Sequence, residues 1–327
     1  MNHTRKAIRF GWTILMLSLL LRLYATGAVD RFLARLAEPD TAAFLLYTQT
    51  GRDARSVSVF LEEPQAVFTP AYPAESPPPD MPETPRVFTR EIAETISITD
   101  FAGRSPDLGT LLTRELPWQT RPGVLIFHTH TTESYTKSGE DYRETSAYRT
   151  DDPAYNMLHI GDILTESLEK SGITVYHATA VHDSPAYNGA YTRSRKTVRQ
   201  ALREHPDIGI VLDVHRDAVE TASGQLRTQS PEGTAQIMLV MGSDASGLSN
   251  PNWEENLSLA LKLQVILEDL SPGITRPIQL RAQRFNQDLS PGAMLVEIGA
   301  AGNTRHDAEQ AAEILARALT ELVEPVG

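Results

Sequence analysis

The stretch Val124-Leu125-Ile126-Phe127, followed directly by His128-Thr129-His130-Thr131-Thr132-Glu133, decides the predicted fold class. An uninterrupted apolar run of this length is typical of a strand that is buried on both faces, as in parallel sheets. A second such run, residues 208–214, leads into His215-Arg216-Asp217. Because ligands bind beyond the carboxyl ends of strands in open α/β sheets, these two segments predict one shared cleft.

Strand-like runs alternate with segments of helical period from residue 122 onward. The alternation predicts an α/β domain with a mostly parallel central sheet flanked by helices. Gly172 is expected to end the first long helix, and Asn252 with Glu255 to cap another. The predicted strands are residues 124–127, 173–176, 208–214, 235–241, 278–282 and 294–298, and the predicted helices are residues 155–170, 194–204, 252–270 and 307–322.

The N-terminus has the pattern of a membrane segment. Basic residues in 1–9 precede an apolar stretch, residues 10–29, and about 20 residues suffice to cross a bilayer as a helix. The positive-inside rule then places residues 1–9 in the cytoplasm and the rest of the chain outside the cell membrane. The alternative is a cleaved signal peptide, because Thr26-Gly27-Ala28 is a suitable small-residue site.

The region after this segment divides by composition. Residues 30–62 are predicted to be juxtamembrane, and residues 63–95 form a spacer that includes Pro77-Pro78-Pro79. A proline-rich segment with few apolar residues cannot bury a core, so it is expected to be semi-extended. The folded domain that carries the chemistry is predicted to occupy residues 96–327.

Charge and cysteine content exclude some functions. The 327 residues carry a formal net charge of -12 and no cysteine. No basic surface is therefore expected for nucleic acid. Without thiolates, any metal must be bound by histidine or carboxylate side chains.

Three residues predict a metal site. His130 and Glu133 form a His-x-x-Glu pair that can present two ligands to one cation, and His215 follows the other strand. Catalytic zinc commonly has three protein ligands of these kinds and leaves a fourth position for water.

The carboxylate ligand has alternatives. Glu144, Asp151 or Asn156 could supply the oxygen in place of Glu133. His128 could replace His130 as the ligand, or it could orient that ligand through a hydrogen bond.

Glu297 is the candidate catalytic residue, because it interrupts the apolar run at 294–298. An unpaired charge in a buried strand is costly, so this carboxylate needs a partner or a catalytic role. Hydrolysis of an amide at a metal site needs one carboxylate as general base and acid. Arg216 and Asp217 are candidates for orienting ligands or contacting substrate, although with His215 they could instead form a structural ion-pair cluster.

At these residues the sequence resembles the stage II sporulation protein P family, whose members carry a His-Thr-His-Thr-x-Glu-Ser-Tyr loop after the first strand. Here the loop reads His128-Thr129-His130-Thr131-Thr132-Glu133-Ser134-Tyr135. Further matches follow in the family's order from about residue 96 to the C-terminus. They are Tyr191-Thr192-Arg193-Ser194, Asp213-Val214-His215-Arg216-Asp217, Asn250-Pro251-Asn252-Trp253, Asn286-Gln287-Asp288-Leu289 and Leu295-Val296-Glu297-Ile298-Gly299 with Asn303-Thr304.

The resemblance implies a membrane-anchored peptidoglycan hydrolase that acts during forespore engulfment, with its catalytic domain between the two membranes of the sporangium. It implies N-acetylmuramoyl-L-alanine amidase activity, an endopeptidase activity on cross-links, and stage II sporulation proteins D and M as partners. The family is similar to the zinc amidases of the cell wall. This similarity implies a zinc site formed by His130, a carboxylate and His215, with Glu297 as the catalytic residue. In those amidases the ligand glutamate opens the first helix, but Tyr155-Asn156-Met157 stands there in this chain. Glu133 is therefore the expected carboxylate ligand.

Two other functions fit parts of the pattern. A zinc carboxypeptidase-like peptidase uses a similar ligand set, but it needs an arginine for the substrate carboxylate, such as Arg216, Arg193 or Arg284. A non-catalytic scaffold that binds the wall would need no metal chemistry at all.

Overall fold

A computed structural model describes residues 86–115, 123–136, 148–221 and 224–323. All of them belong to the unit Gln65–Gly327. The predicted cytoplasmic end, membrane segment and juxtamembrane stretch, with most of the spacer, lie outside the described residues. Within the described part of the chain, no helix has the length and apolar character needed to cross a membrane.

The described residues alternate between strands and helices, as the sequence predicts. The helices are α1 (Arg90–Ala93), α2 (Leu108–Leu112), α3 (Met157–Lys170), α4 (Ala190–Glu204), α5 (Trp253–Leu270) and α6 (Arg305–Val323). The strands are β1 (Ile98–Asp100), β2 (Gly123–Phe127), β3 (Val175–His177), β4 (Ile208–Asp217), β5 (Glu220–Thr221), β6 (Gly224–Gln225), β7 (Ile237–Gly242), β8 (Ile278–Arg281) and β9 (Ala293–Ala300).

Seven strands form one sheet in the order β1-β8-β7-β9-β4-β2-β3. Every neighbouring pair is parallel except β7 and β9, which are antiparallel. The prediction of a mostly parallel sheet flanked by helices is confirmed. Because β2, β4 and β9 run in the same direction, their carboxyl ends meet at one edge, where the predicted site residues lie.

The two faces of the sheet are covered differently. One face packs against α3, α5 and α6, and it forms the main core. On the other face, α4 packs on β2 over a smaller cluster that includes Leu125 and Val211. Met238, Val240 and Leu295 continue that second face on β7 and β9, where they line a groove. None of the described helices covers this half of the face, and the groove there can take a ligand.

Several local predictions are tested by the described residues. Gly172 ends α3 with a φ of 81°, as predicted. The predicted capping pair is wrong: Asn252 occupies the position before α5 without capping it, because its side chain donates to the carbonyl of Asp288 at 3.1 Å. Ala93 of α1 is buried in the main core, so the folded unit begins before residue 96.

Candidate metal centre

The loop after β2 is fixed to β4 by one buried carboxylate. Asp213 accepts hydrogen bonds from the backbone N of Thr129 at 2.8 Å and from its hydroxyl at 2.6 Å. Further along the loop, the backbone N of Glu133 donates to the carbonyl of His130 at 3.2 Å. This turn brings the two side chains of the His-x-x-Glu pair together.

His130, Glu133 and His215, which we term the metal group, have ligand atoms that all lie within 4.8 Å of one another. Glu133 Oε1 is 3.4 Å from His130 Nδ1, and Glu133 Oε2 is 3.4 Å from His215 Nδ1. Tetrahedral sites with bonds of about 2.0 to 2.1 Å separate their ligands by about 3.3 Å. All three side chains are buried, so this predicted set has the spacing and the chemistry to hold a metal ion.

Glu133 is ionised in its buried position because positive groups surround it. Burial opposes ionisation, but Arg216 and hydrogen bonds from both histidines outweigh burial, and they hold the pKa of this carboxyl well below its usual value. The backbone N of Arg216 donates to Oε2 at 3.3 Å, and Arg149 lies 3.1 Å from Oε1. These contacts would let Arg216 orient the carboxylate, which is one of its two predicted roles.

His215 presents its other ring nitrogen to a carboxylate that the sequence analysis did not select. Its Nε2 lies 2.7 Å from Asp213 Oδ1. Burial disfavours a charged ring, but Asp213 and Glu133 outweigh burial and raise the pKa of His215 well above its usual value. The negative surroundings that stabilise a proton on His215 would also stabilise a bound metal cation, since protons and metals compete for the same ring nitrogens.

A pattern in the sequence could have revealed Asp213. It stands two residues before His215 in an apolar strand, and residues i and i+2 share one face of a strand. The argument that selected Glu297, a carboxylate inside a buried run, applies equally to this position.

Glu297 lies beside the metal group on β9. It is in register with His215 of β4 and opposite Met238 of β7. Its Oε2 is closed off from solvent and has no hydrogen-bond partner among the described residues. Removal of the carboxyl from water raises its pKa to about 8, against the opposing charge of His215. The side chain lines the groove, so it can exchange protons with a bound molecule.

His128 is directed away from the metal group. Its Nδ1 is 2.9 Å from the carbonyl of Val214, and its Nε2 is 3.0 Å from His177 Nε2. Burial and the neighbouring His177 lower the pKa of His128 to about 3. We term His128 and His177 the histidine pair. The predicted alternative, in which His128 replaces His130 as a ligand, does not match these contacts.

The alternative oxygen ligands are also placed elsewhere, where the structure describes them. Asn156 caps α3, because its side chain accepts the backbone N–H of Leu158 at 2.9 Å. Asp151 is exposed. Glu144 lies outside the described residues. Asp217 pairs with Arg276 at 2.7 Å on the rim of the groove, so it can contact substrate but does not touch the metal group.

The groove beside the metal group has a volume of about 280 Å³. Tyr187 stacks on His130 with ring centroids 4.5 Å apart, and Tyr191 meets the same ring edge-on at 5.7 Å. Burial and nearby carboxylates raise the pKa of Tyr191, so its phenol stays neutral. Tyr191 belongs to a motif noted in the sequence, whereas nothing in the sequence pattern marked Tyr187.

Residues 94–320 match the family described as Stage II sporulation protein P. The chain belongs to this family. The stage II sporulation protein P of Bacillus subtilis (strain 168) is 27% identical over 263 residues, which are 76% of this chain. The match spans 62% of the length of that protein. The loop that carries His130 and Glu133, and the strands that carry His215 and Glu297, all lie inside the matched residues.

Solved structures of wall amidases show a weaker likeness to this member of the stage II sporulation protein P family. The N-acetylmuramoyl-L-alanine amidase AmiC2 of Nostoc punctiforme is 16% identical, with a TM-score of 0.38 over 61% of this chain and 95% of the amidase. The amidase of Clostridium difficile 630 is 15% identical, with a TM-score of 0.36 over 62% and 95%. At these TM-scores the likeness assigns neither a fold nor a function to this chain.

Proposed function

We propose that this protein is a zinc-dependent N-acetylmuramoyl-L-alanine amidase that cuts peptidoglycan during sporulation. The observation that carries the proposal is the pairing of the metal group with Glu297, whose buried Oε2 has no hydrogen-bond partner among the described residues. Two imidazoles and one carboxylate suit zinc, and a separate carboxylate in the adjacent strand supplies the proton transfer that amide hydrolysis needs. Membership in the stage II sporulation protein P family supports peptidoglycan as the substrate.

His130, Glu133 and His215 would hold the ion, which supplies Lewis acidity when bound: it polarises a carbonyl and makes water more acidic. In its ionised form, Glu297 accepts a proton from the attacking water while the new C–O bond forms at the amide carbon. The same carboxyl then protonates the nitrogen of the leaving stem peptide as the C–N bond breaks. Asp213 keeps the ring of His215 in place, and Arg216 keeps Glu133 ionised and oriented.

The proposal extends to the setting of the activity. We infer that residues 10–29 anchor the protein in the membrane and that the catalytic domain acts in the space between the sporangial membranes during engulfment. Stage II sporulation proteins D and M are the proposed partners, and an endopeptidase activity on cross-links is the proposed second reaction. Family membership supports each of these inferences.

The test is digestion of purified peptidoglycan by the full chain, with and without a chelator, followed by mass analysis of the products. The amidase is expected to release stem peptides with a free N-terminal alanine, to stop in chelator, and to recover when zinc is restored. Release of single amino acids from peptide ends would instead indicate the carboxypeptidase-like alternative. Binding to the wall without any cleavage would indicate the scaffold.

A further inference from the structure

Arg281, at the end of β8, is an arginine in the groove without a carboxylate partner among the described residues. The neighbouring Arg216, Arg276 and Arg284 lie 3.7, 2.7 and 3.6 Å from carboxylates of the chain. Arg281 makes no such contact with the residues that the structure describes, although it lines the groove together with Glu297. A guanidinium is always charged, and it strongly favours an anionic acceptor.

The guanidinium is held in one orientation by two neighbours. Its Nε and Nη2 donate to Gln279 Oε1 at 2.9 and 2.5 Å. Its Cζ lies over the ring of Phe101, 4.3 Å from the centroid. Nη1 is left without an acceptor in the described part of the chain. A positioned planar fork of this kind suits bidentate binding of a carboxylate.

The ring beneath Arg281 is itself fixed, although Phe101 is 56% exposed. Its backbone N donates to the carbonyl of Leu280 at 2.9 Å, which continues the pairing of β1 with β8. The carboxylate of Asp100 holds the loop that follows by accepting three backbone N–H groups at 2.8 to 2.9 Å, from Ala102, Gly103 and Ser105. An exposed aromatic ring on so well fixed a loop has no packing role in the core.

The register of the sheet gives the distance between Arg281 and Glu297. Arg281 pairs with Gly242 of β7, whereas Glu297 pairs with Met238 of the same strand. Two strand spacings and four residues along the strand place their Cα atoms about 16 Å apart. An extended chain covers that distance in about four to five residues, and the arginine side chain shortens it.

This separation decides which carboxylate could be bound. A carboxypeptidase holds the terminal carboxylate one residue from the bond it cuts, which is too close for Arg281. An acidic residue further along an extended peptide fits the separation. Met238, Val240 and Leu295 supply an apolar floor between the two ends of the groove.

We propose that Arg281, supported by Phe101 and Gln279, binds a free carboxylate of the stem peptide and makes the enzyme prefer acidic stems over amidated ones. This inference rests on the proposed function, because it assigns the peptide to the groove. The apolar floor takes the intervening aliphatic part of the stem, and the scissile amide lies at Glu297. Arg281 is thus a specificity residue of the same site.

The test compares peptidoglycan with free stem carboxylates against the same material after carbodiimide-mediated amidation. Wild type is expected to cut the free form about 10- to 100-fold faster, the range expected for a charge-assisted bidentate contact. In Arg281→Gln this ratio should fall to near one. Arg317→Gln removes the same charge from an exposed position of α6 and should keep the wild-type ratio.

A binding measurement separates this inference from the proposed function. The full chain carrying Glu297→Gln is sedimented with both wall preparations, with and without Arg281→Gln, so no cleavage is needed. A preference for the free form that Arg281→Gln removes supports the inference even if wild type cuts neither material. An unchanged ratio in Arg281→Gln, or a wild type without preference, overturns the inference while cleavage still stands. If Arg281→Gln fails to fold, Arg281→Lys keeps the charge without the fork, and it must lower the ratio several-fold.

Discussion

The metal group and the histidine pair begin within three residues of each other, at His130 and His128, yet each contains a histidine whose pKa is shifted in the opposite direction. In the metal group, Asp213 and Glu133 raise the pKa of His215 despite its burial. In the histidine pair, burial and a second imidazole lower the pKa of His128 to about 3. The pair's nearest carboxylate, Asp162, lies 3.1 Å from His177, but its side chain is 67% exposed.

Buried carboxylates, more than buried histidines, therefore distinguish the cation site. In the histidine pair, His128 stays neutral, because burial and the neighbouring imidazole outweigh the hydrogen bond with Val214 and the charge of Asp213. Two histidines with two buried carboxylates create a negative position that a proton or a metal must fill. The experiments below change one member of each cluster in turn.

The largest expected effect is loss of the metal. His215→Ala removes one of three protein ligands, so bound zinc and hydrolysis should both fall to background after dialysis. His128→Ala, the matched change in the histidine pair, should lower thermal stability but keep stoichiometric zinc. Elemental analysis of the dialysed proteins measures the difference. Zinc loss in His128→Ala with retention in His215→Ala would reverse the assignment of the two clusters.

Glu297→Gln should lower kcat about 100- to 10,000-fold while zinc content and the unfolding midpoint stay near the wild-type values. The change preserves volume and removes only the group that transfers the proton. Glu166→Gln, at an exposed carboxylate paired with Lys170, is the control and should leave kcat unchanged. Turnover near the wild-type rate in Glu297→Gln would remove this residue from the mechanism and direct attention to Asp217.

Asp213→Asn should weaken zinc affinity about 10- to 100-fold, because the carboxylate orients His215 and increases its basicity. Asp162→Asn changes the carboxylate beside the histidine pair, which is largely exposed, so zinc affinity should not change. Competition with a chromophoric chelator gives both dissociation constants. Equal effects of the two substitutions would contradict the distinction drawn between buried and exposed carboxylates.

The smallest effect is expected at Gly161 of α3, which packs on the histidine pair. A Cβ at this position would lie 2.4 Å from His177 Nε2 and 2.6 Å from His128 Nε2. Gly161→Ala should therefore lower the free energy of unfolding by about 1 to 3 kcal/mol, although alanine in a helix is otherwise favoured by about 1 kcal/mol. Zinc affinity should not change.

A double substitution sharpens that test. Adding His177→Ala to Gly161→Ala removes the nearer of the two close contacts and gives the ring of His128 room to move, so the two losses should be less than additive by more than about 0.5 kcal/mol. Denaturant titration of the four proteins measures this coupling. Stabilisation by Gly161→Ala alone would show that the histidine pair moves apart at little cost.

Much of the fold follows from local patterns in the chain. The apolar run at 124–127 and the continuous run at 208–214 became neighbouring strands, since strands buried on both faces have this composition. β1 and α1 escaped prediction because they are short and only partly apolar. Both are stabilised by partners far along the chain, since β1 pairs with β8 and Ala93 packs in the main core.

Residues of the candidate site were predictable only where a polar or charged residue interrupts or ends an apolar run. His130, His215 and Glu297 stand at the ends of apolar runs or inside them, so they could be selected one by one. Asp213 meets the same criterion, because it is a carboxylate inside an apolar run. No sequence pattern marks Arg281 or Phe101. They are distinguished by their contact with each other and by the absence of a carboxylate partner for Arg281 among the described residues.

The sequence by itself determined the alternation of strands and helices, the family, and which residue types could bind a metal. Only the tertiary structure decided which histidine of the loop faces Glu133, which carboxylate supports His215, and which arginine of the groove has no carboxylate partner among the described residues. The physical reason is that local composition and hydrophobic periodicity predict which residues are buried. Which side chains become partners depends instead on the register of strands that are far apart in sequence. Residues 128 and 130 are histidines of the same loop, and their different contacts come from the residues that surround each of them on other strands and helices.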